Sequence, residues 1–109
     1  MTRIEQLNQF ISDDPTDEFP RYALALEYLN IDPLRAKKEF EELLSRFPDY
    51  LPTYYPAAHL LMDLGDVLGA EQLFTKGIDV AGRQGNKKTE IELRTAFNQW
   101  LFDRTTPSS

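Results

Sequence analysis

The stretch AKKEFEELLSRFP at residues 36–48 returns 34 positions later as AEQLFTKGIDVAG at residues 70–82. Within each stretch, apolar residues recur three and four positions apart, the spacing of one face of an α-helix. The positions that superimpose are Ala36 with Ala70, Phe40 with Phe74, and Leu44 with Ile78. Because a period of this length is typical of proteins that stack one helical unit on the next, the sequence predicts a repeat architecture.

The segments that precede these stretches also match each other, at an offset of 33. The paired positions are Tyr22 with Tyr55, Ala25 with Ala58, Tyr28 with Leu61, and Leu29 with Met62. The same offset extends towards the N-terminus and pairs Leu7 with Phe40, Ile11 with Leu44, and Pro15 with Pro48. Each unit therefore contains two helices, preceded by a single helix that forms half a unit. With a last helix near the C-terminus, the chain is predicted to be all-α, with about six helices.

Several helix ends follow from capping residues. Asp32 and Asp66 precede the second helix of each unit, and aspartate accepts the free N–H groups of a helix start. Gly65 suits the left-handed residue that ends a helix, as does the glycine-containing stretch 82–85. Pro56 would distort a helix that began at residue 52, so we expect a later start or an irregular first turn. The last helix begins near Asn86 or at a capping box formed by residues 89–92.

These units resemble the tetratricopeptide repeat family, whose pattern places small residues and aromatics at fixed positions of two helices. The matching motifs are Leu24-Ala25-x2-Tyr28, Ala36-x3-Phe40 and Pro48 in unit one, and Ala57-Ala58-x2-Leu61 and Ala70-x3-Phe74 in unit two. Gly82 replaces the closing proline of unit two, and Arg21 stands where unit two has the bulky Tyr54. The resemblance implies a right-handed α-solenoid of antiparallel helix pairs. The whole chain is also similar to short stand-alone bacterial proteins of this family.

On this interpretation residues 1–104 form a single domain. It divides into a half repeat at residues 2–14, repeat one at 17–48, repeat two at 51–82 and a capping helix at 86–103. Residues 105–109 are predicted to be a flexible tail. Because Phe40 and Phe74 would fill the space between successive helix pairs, stacking is the main folding force.

Composition excludes several classes of function. The 109 residues carry 12 basic and 18 acidic side chains, a net charge of −6, which disfavours binding to nucleic-acid phosphates. No apolar run is long enough to span a bilayer, and no membrane association is expected. The absence of cysteine excludes disulfides and thiolate metal sites and favours a reducing compartment, so we expect a cytoplasmic protein. No cofactor is expected.

Catalysis has little support in the sequence. His59 is the only histidine, and Asp63 follows it one helical turn later, a spacing that could hold a metal or orient a base. No third histidine, nucleophile motif or glycine-rich phosphate loop accompanies them. We therefore expect a non-enzymatic protein with no catalytic or metal-binding residue.

The family resemblance implies a binding scaffold whose first helices line a concave surface for a peptide or another helix. The positions it assigns to that surface are Phe19, Tyr22, Leu26, Leu29, Tyr55, His59, Met62 and Asp63. Since this lining is apolar and aromatic, a helix or hydrophobic segment of a protein partner is the expected ligand. Two alternatives remain: the last helix covers the groove and makes these residues core, or the same face pairs with a second copy to form a homodimer.

Overall fold

The computed structural model describes residues 1–105, which form six α-helices and contain no β-strand. The helices are α1 (Arg3–Asp13), α2 (Glu18–Leu29), α3 (Pro33–Arg46), α4 (Tyr54–Asp63), α5 (Val67–Arg83) and α6 (Lys87–Thr105). A 3-10 turn, Leu51–Thr53, leads into α4. The prediction of an all-α solenoid is confirmed. Thr105 belongs to α6 rather than to the predicted tail, and residues 106–109 lie outside the described part of the chain.

Each helix packs mainly on its neighbours in the chain. The pairs α2 with α3 and α4 with α5 form two hairpins, α1 packs on α2, and α6 packs on α5. Short turns join consecutive helices, which therefore run in opposite directions. The molecule is elongated, with extents of 49 × 33 × 19 Å, as expected when each unit touches only the next.

The two repeat phenylalanines fill the space between helix pairs, as predicted. Phe40 is 2% exposed and packs with Ala36 of its own helix and with Ala57 and Leu60 of the next hairpin. Phe74 is fully buried in a larger cluster that joins α4, α5 and α6. The alanines beside these rings are buried, and their small side chains allow the helices to approach closely. A larger side chain at these positions would separate the helices.

The predicted helix ends are confirmed by hydrogen bonds. The carboxylate of Asp66 accepts the amide of Gly69 at 2.9 Å, and the Asp32 carboxylate accepts that of Arg35 at 3.2 Å. Gly65 has a φ of 79°, and the amides of Gly65 and Asp66 donate to the carbonyls of Met62 and Leu61, respectively. This is the paired hydrogen bonding of a Schellman motif, which requires a left-handed residue at its centre.

Pro56 is accommodated in the way the sequence predicted. Helix α4 begins at Tyr54, two residues later than the approximate start at residue 52, and the 3-10 turn takes up the intervening residues. Pro56 therefore lies in the first turn of α4, where its missing N–H group has no partner to lose.

The last helix departs from the regular period. The buried or half-buried residues of α6 repeat the spacing of those in α4 at an offset of 39 instead of 33 or 34, as Leu93 with Tyr54, Ala96 with Ala57, Phe97 with Ala58, and Trp100 with Leu61. Helix α5 has 17 residues against 14 in α3, because Gly82 does not stop it as Pro48 limits α3. Gly85, with a φ of 69°, ends α5 instead.

Helix α6 begins at Lys87, and Asn86 is its cap. The Asn86 side chain accepts the amide of Thr89 at 3.1 Å. Thr89 therefore lies inside the helix, and the alternative start at a capping box of residues 89–92 is wrong. Asn86 and Thr89 are both good N-cap residues, and the helix begins after Asn86, the one that directly follows Gly85.

Candidate functional site

A groove separates α4 from α6 on the inner face, which we define as the side of the molecule formed by α2, α4 and α6. This α4–α6 groove has a volume of about 640 Å³. From α4 it is lined by Tyr55, His59 and Met62. Its opposite wall consists of seven residues of α6: Ile91, Glu92, Thr95, Ala96, Gln99, Trp100 and Asp103. Helix α6 thus forms one side of the groove and leaves Tyr55 43% exposed.

A second groove of about 530 Å³ lies at the end of the inner face where α4 and α6 begin. Tyr22 of α2 and Tyr50 of the loop between α3 and α4 meet edge to face there, with ring centroids 5.7 Å apart. Tyr55 and Glu92 line both this loop-end groove and the α4–α6 groove. The two grooves therefore adjoin each other at these residues.

A chain of aromatic rings connects the groove to the core. The rings of Tyr55 and His59 lie 4.5 Å apart, and His59 meets the buried Phe74 at 6.3 Å. Phe74 stacks on Phe97 at 5.1 Å, and Phe97 in turn lies 6.1 Å from Trp100. Rings in such contact restrict one another, so the groove floor is held rigidly by the packing beneath it.

The far end of the α4–α6 groove carries a cation–aromatic contact. The guanidinium of Arg104 lies 4.9 Å from the ring centre of Trp100. Trp100 is 9% exposed and also contacts Phe74, with ring centroids 6.0 Å apart. The indole is therefore positioned from two sides while one part of it still lines the groove.

Charge on the α4–α6 groove is negative. Among the described residues, its lining includes Glu92 and Asp103 and no lysine or arginine. The loop-end groove adds Asp49, whose carboxylate lies 3.5 Å from the guanidinium of Arg83.

Tyr22 and Tyr50 of the loop-end groove have pKa values raised above that of a free tyrosine. Burial raises the pKa of Tyr22, and it also raises the pKa of Tyr50, to which the nearby Glu18 carboxylate contributes further. Both hydroxyls therefore offer a proton for a hydrogen bond to a ligand, and neither supplies a base.

The structure brings together part of the residue set that the sequence predicted. Tyr55, His59 and Met62 line one groove, and Tyr22 joins Tyr55 in the other. Four predicted residues line neither groove. Leu26 and Leu29 pack against the core around Phe40, whereas Phe19 is 58% exposed and Asp63 is exposed.

Sequence reasoning missed the α6 wall. It treated α6 only as a cap or a possible cover, because the offset of 33 or 34 does not continue past Gly82. The available signal was the spacing of Leu93, Ala96, Phe97 and Trp100, which repeats that of α4 once the offset is set to 39. That alignment makes α6 a third inner helix rather than a lid.

The His59 ring lies against aromatic side chains. No group of three or more histidine, aspartate or glutamate side chains in that part of the chain could hold a metal ion. The Nε2 atom of His59 is buried and has no hydrogen-bond partner there, and the ring is packed between Tyr55 and Phe74. Packing accounts for its place in the structure.

The fold and the grooves define a helical repeat protein whose inner helices present a surface to other molecules. The sequence matches no protein-family model and none of the curated proteins with which it was compared. Among solved structures, it is similar to the solution structure of a tetratricopeptide repeat domain protein from Salinibacter ruber, with 37% identity and a TM-score of 0.79. That match covers 88% of this chain and 98% of the other.

A crystal structure of a tetratricopeptide repeat domain protein from Salinibacter ruber is 40% identical, with a TM-score of 0.72. This match covers 77% of the present chain and 94% of the chain in the crystal structure. The chain belongs to the tetratricopeptide repeat family. Members of this family are in general non-enzymatic scaffolds for protein interaction, and the similarity supports a protein-interaction module as the broad class of this chain. None of the helices within residues 1–105 has both the length and the apolar character needed to cross a membrane.

Proposed function

We propose that this protein is a non-enzymatic interaction module that binds a helix or hydrophobic segment of a protein partner through its inner face. The main observation in support of this proposal is the α4–α6 groove, which is open to solvent and has a floor of aromatic and aliphatic side chains. Its shape fits a rod-like ligand lying between two helices.

Tyr55 is the side chain most suited to dominate the binding energy. It is 43% exposed, it lines both grooves, and its ring is supported from one side by His59. Tyrosine is enriched among residues that contribute most to binding, because it buries a large area while losing few rotamers. Met62, further along α4, adds a flexible apolar contact that adapts to the ligand.

The ligand is not a terminal carboxylate. The resemblance to chaperone-binding members of the family would require lysine, arginine and asparagine on the inner face to clamp such a group. In this chain the corresponding surface is apolar and acidic, and a carboxylate would be repelled by Glu92 and Asp103.

Cytoplasmic localisation remains a prediction from the sequence.

The test is a comparison of two surface variants as bait in affinity purification from the native organism. Tyr55→Ala removes the groove anchor, whereas Leu68→Ala removes a 66% exposed apolar side chain that lies outside both grooves. We expect partners captured by wild type and Leu68→Ala to be lost with Tyr55→Ala, and the purified partner to bind about tenfold or more weakly to that variant. Equal capture and affinity for all three would refute the proposal.

A second candidate is a self-associating subunit that uses the same face as a homodimer interface. The observation that favours it is the exposure of two apolar side chains in the lining of the groove, Tyr55 at 43% and Ile91 at 54%. Light scattering over a dilution series separates the two candidates. A protein that remains monomeric at micromolar concentration cannot use this face for stable self-association.

A further inference from the structure

The groove wall formed by α6 carries a carboxylate at each end. Glu92 and Asp103 are eleven residues apart, which corresponds to about 16 Å along a helix and a rotation of roughly 20°. They therefore lie on one stripe of α6, with Thr95, Ala96 and Gln99 between them. The two negative charges bracket the apolar floor on which Tyr55 and Trp100 lie.

These carboxylates are not neutralised by neighbouring cations in the part of the chain that the structure describes. The Glu92 side chain forms no ion pair or hydrogen bond there, although Lys88 is only one helical turn away. Asp103 accepts a hydrogen bond from Nε2 of Gln99 at 3.0 Å, a neutral donor. Arg104 packs its guanidinium on Trp100 instead. Within residues 1–105 neither carboxylate is paired with a cation, so both are available to a basic ligand.

We propose that the groove selects an amphipathic helix whose apolar face is flanked at both ends by a lysine or arginine. This inference rests on the proposed function and adds the charge and length of the ligand. In a helix, two residues eleven positions apart lie about 16 Å apart on one face, which matches the separation of the two carboxylates. Apolar side chains four and seven positions after the first basic residue then meet the aromatic floor.

The size of the groove agrees with a ligand of this kind. Three turns of a helix about 10 Å in diameter occupy roughly 1,300 Å³. The open groove, at about 640 Å³, is smaller than that. One face of the helix therefore lies in the groove while the opposite face remains in solvent, as an amphipathic sequence requires.

The charge of the protein itself argues for a basic partner over a second copy. Each chain carries a net charge of −6, so two copies repel each other at low ionic strength. A basic helix is instead attracted over a distance of about 10 Å at 0.1 M salt. Electrostatic attraction of this kind raises the association rate and selects among apolar ligands that would otherwise bind equally.

Trp100, the single tryptophan of the chain, provides the readout because it lines the groove. Three blocked 15-residue helical peptides without tryptophan share one alanine and leucine face. They differ only at two positions eleven residues apart, which are both lysine, both glutamine or both glutamate. Titration of each into the protein at about 50 mM and 500 mM NaCl, followed by Trp100 emission and calorimetry, gives the affinities.

We expect the lysine peptide to bind about tenfold more tightly than the glutamine peptide at low salt, roughly threefold for each exposed charge pair. The glutamate peptide should bind most weakly. Because exposed charge pairs are screened, the preference for lysine should shrink towards unity at high salt while the glutamine peptide changes little.

Two double variants test whether the preference for the lysine peptide depends on the groove carboxylates. Glu92→Gln/Asp103→Asn removes both groove carboxylates, and Glu41→Gln/Glu71→Gln removes two exposed carboxylates from the outer helices α3 and α5. Both change the net charge by the same amount. We expect the first variant to lose most of the preference for lysine and the second to retain it, with unchanged far-ultraviolet circular dichroism in both.

The outcomes separate this inference from the proposed function. If the three peptides bind equally, or if both double variants keep the same preference, the charge inference is wrong and the apolar interaction module stands. If no peptide binds and Tyr55→Ala captures the same partners as wild type, the proposed function itself fails. If light scattering shows a dimer at the working concentration and no peptide binds, the inference is overturned in favour of self-association.

Discussion

The two repeat phenylalanines offer a matched test of how the solenoid is stabilised. Phe40 and Phe74 occupy the same repeat position, and both are 2% exposed or less. Truncation of a buried phenylalanine to alanine costs about 3–5 kcal/mol through lost burial and the cavity that remains. Phe74 additionally contacts three rings, those of Phe97, Trp100 and His59. The cluster around Phe40 consists of alanines, leucines and Tyr28, and within residues 1–105 Phe40 makes no ring–ring contact of this kind.

Each favourable ring pair contributes about 0.5–1.5 kcal/mol beyond its buried area. Because the range of about 3–5 kcal/mol already includes contacts of this kind, we expect Phe74→Ala to lie at its upper end, about 4–5 kcal/mol, and Phe40→Ala at its lower end, about 3–4 kcal/mol. A domain of this size has a total stability of roughly 5–15 kcal/mol, so Phe74→Ala brings the protein close to unfolding. Phe74→Leu, which keeps most of the volume, should cost less and serves as a folded reference.

Urea denaturation followed by far-ultraviolet circular dichroism measures the free energies. Trp100 fluorescence, recorded in the same titrations, tests whether the transition is two-state. The emission of folded Phe74→Leu should also shift, because Phe74 contacts Trp100 directly and Phe40 does not. The reasoning is refuted if Phe40→Ala costs as much as Phe74→Ala, or if either costs less than about 2 kcal/mol.

Three further results are expected from urea denaturation. Gly77→Ala should destabilise the protein although alanine favours helix, because the added Cβ would lie 2.7 Å from the Cβ of Tyr54. Gly82→Ala should instead stabilise the protein by up to about 1 kcal/mol, because no atom lies within 3.9 Å of the added Cβ. A gain from both glycine variants would contradict the close packing. Asp66→Ala should cost about 1 kcal/mol by removing the cap of α5, and no loss would show that the cap is unimportant. Burial raises the pKa of Tyr54 above 10.0, so stability should be full below pH 10 and fall above it, less steeply in Tyr54→Phe; equal slopes would exclude this tyrosine as a cause.

The regular part of the fold could be predicted from the sequence because each local signal agreed with the repeat. The alanine and phenylalanine pairs predicted the contacts between helices, and Gly65 predicted the end of α4. Pro56 predicted the irregular entry into that helix. These signals depend on interactions between residues that are close in the sequence or exactly one unit apart, which a single sequence displays directly.

The candidate site could be predicted only in part. Tyr22, Tyr55, His59 and Met62 occupy grooves because inner-helix positions repeat with the unit. Leu29 belongs to the core around Phe40, since the burial of a position also depends on how tightly the neighbouring hairpin packs. The α6 wall was missed because the length of α5 changes the period, and the end of a helix that lacks a proline stop is difficult to read from a single sequence.

The extra turn of α5 also limits how the protein could be lengthened by design. Between α3 and α4 the period is regular, so a duplicated 33-residue segment inserted there should stack without adjustment and add one more tyrosine to the inner row. A segment inserted after α5 would inherit the displaced register of α6, and the new helix pair would meet its neighbour five or six residues out of step, the difference between an offset of 39 and one of 34 or 33. Repeats are therefore easier to add between α3 and α4 than after α5.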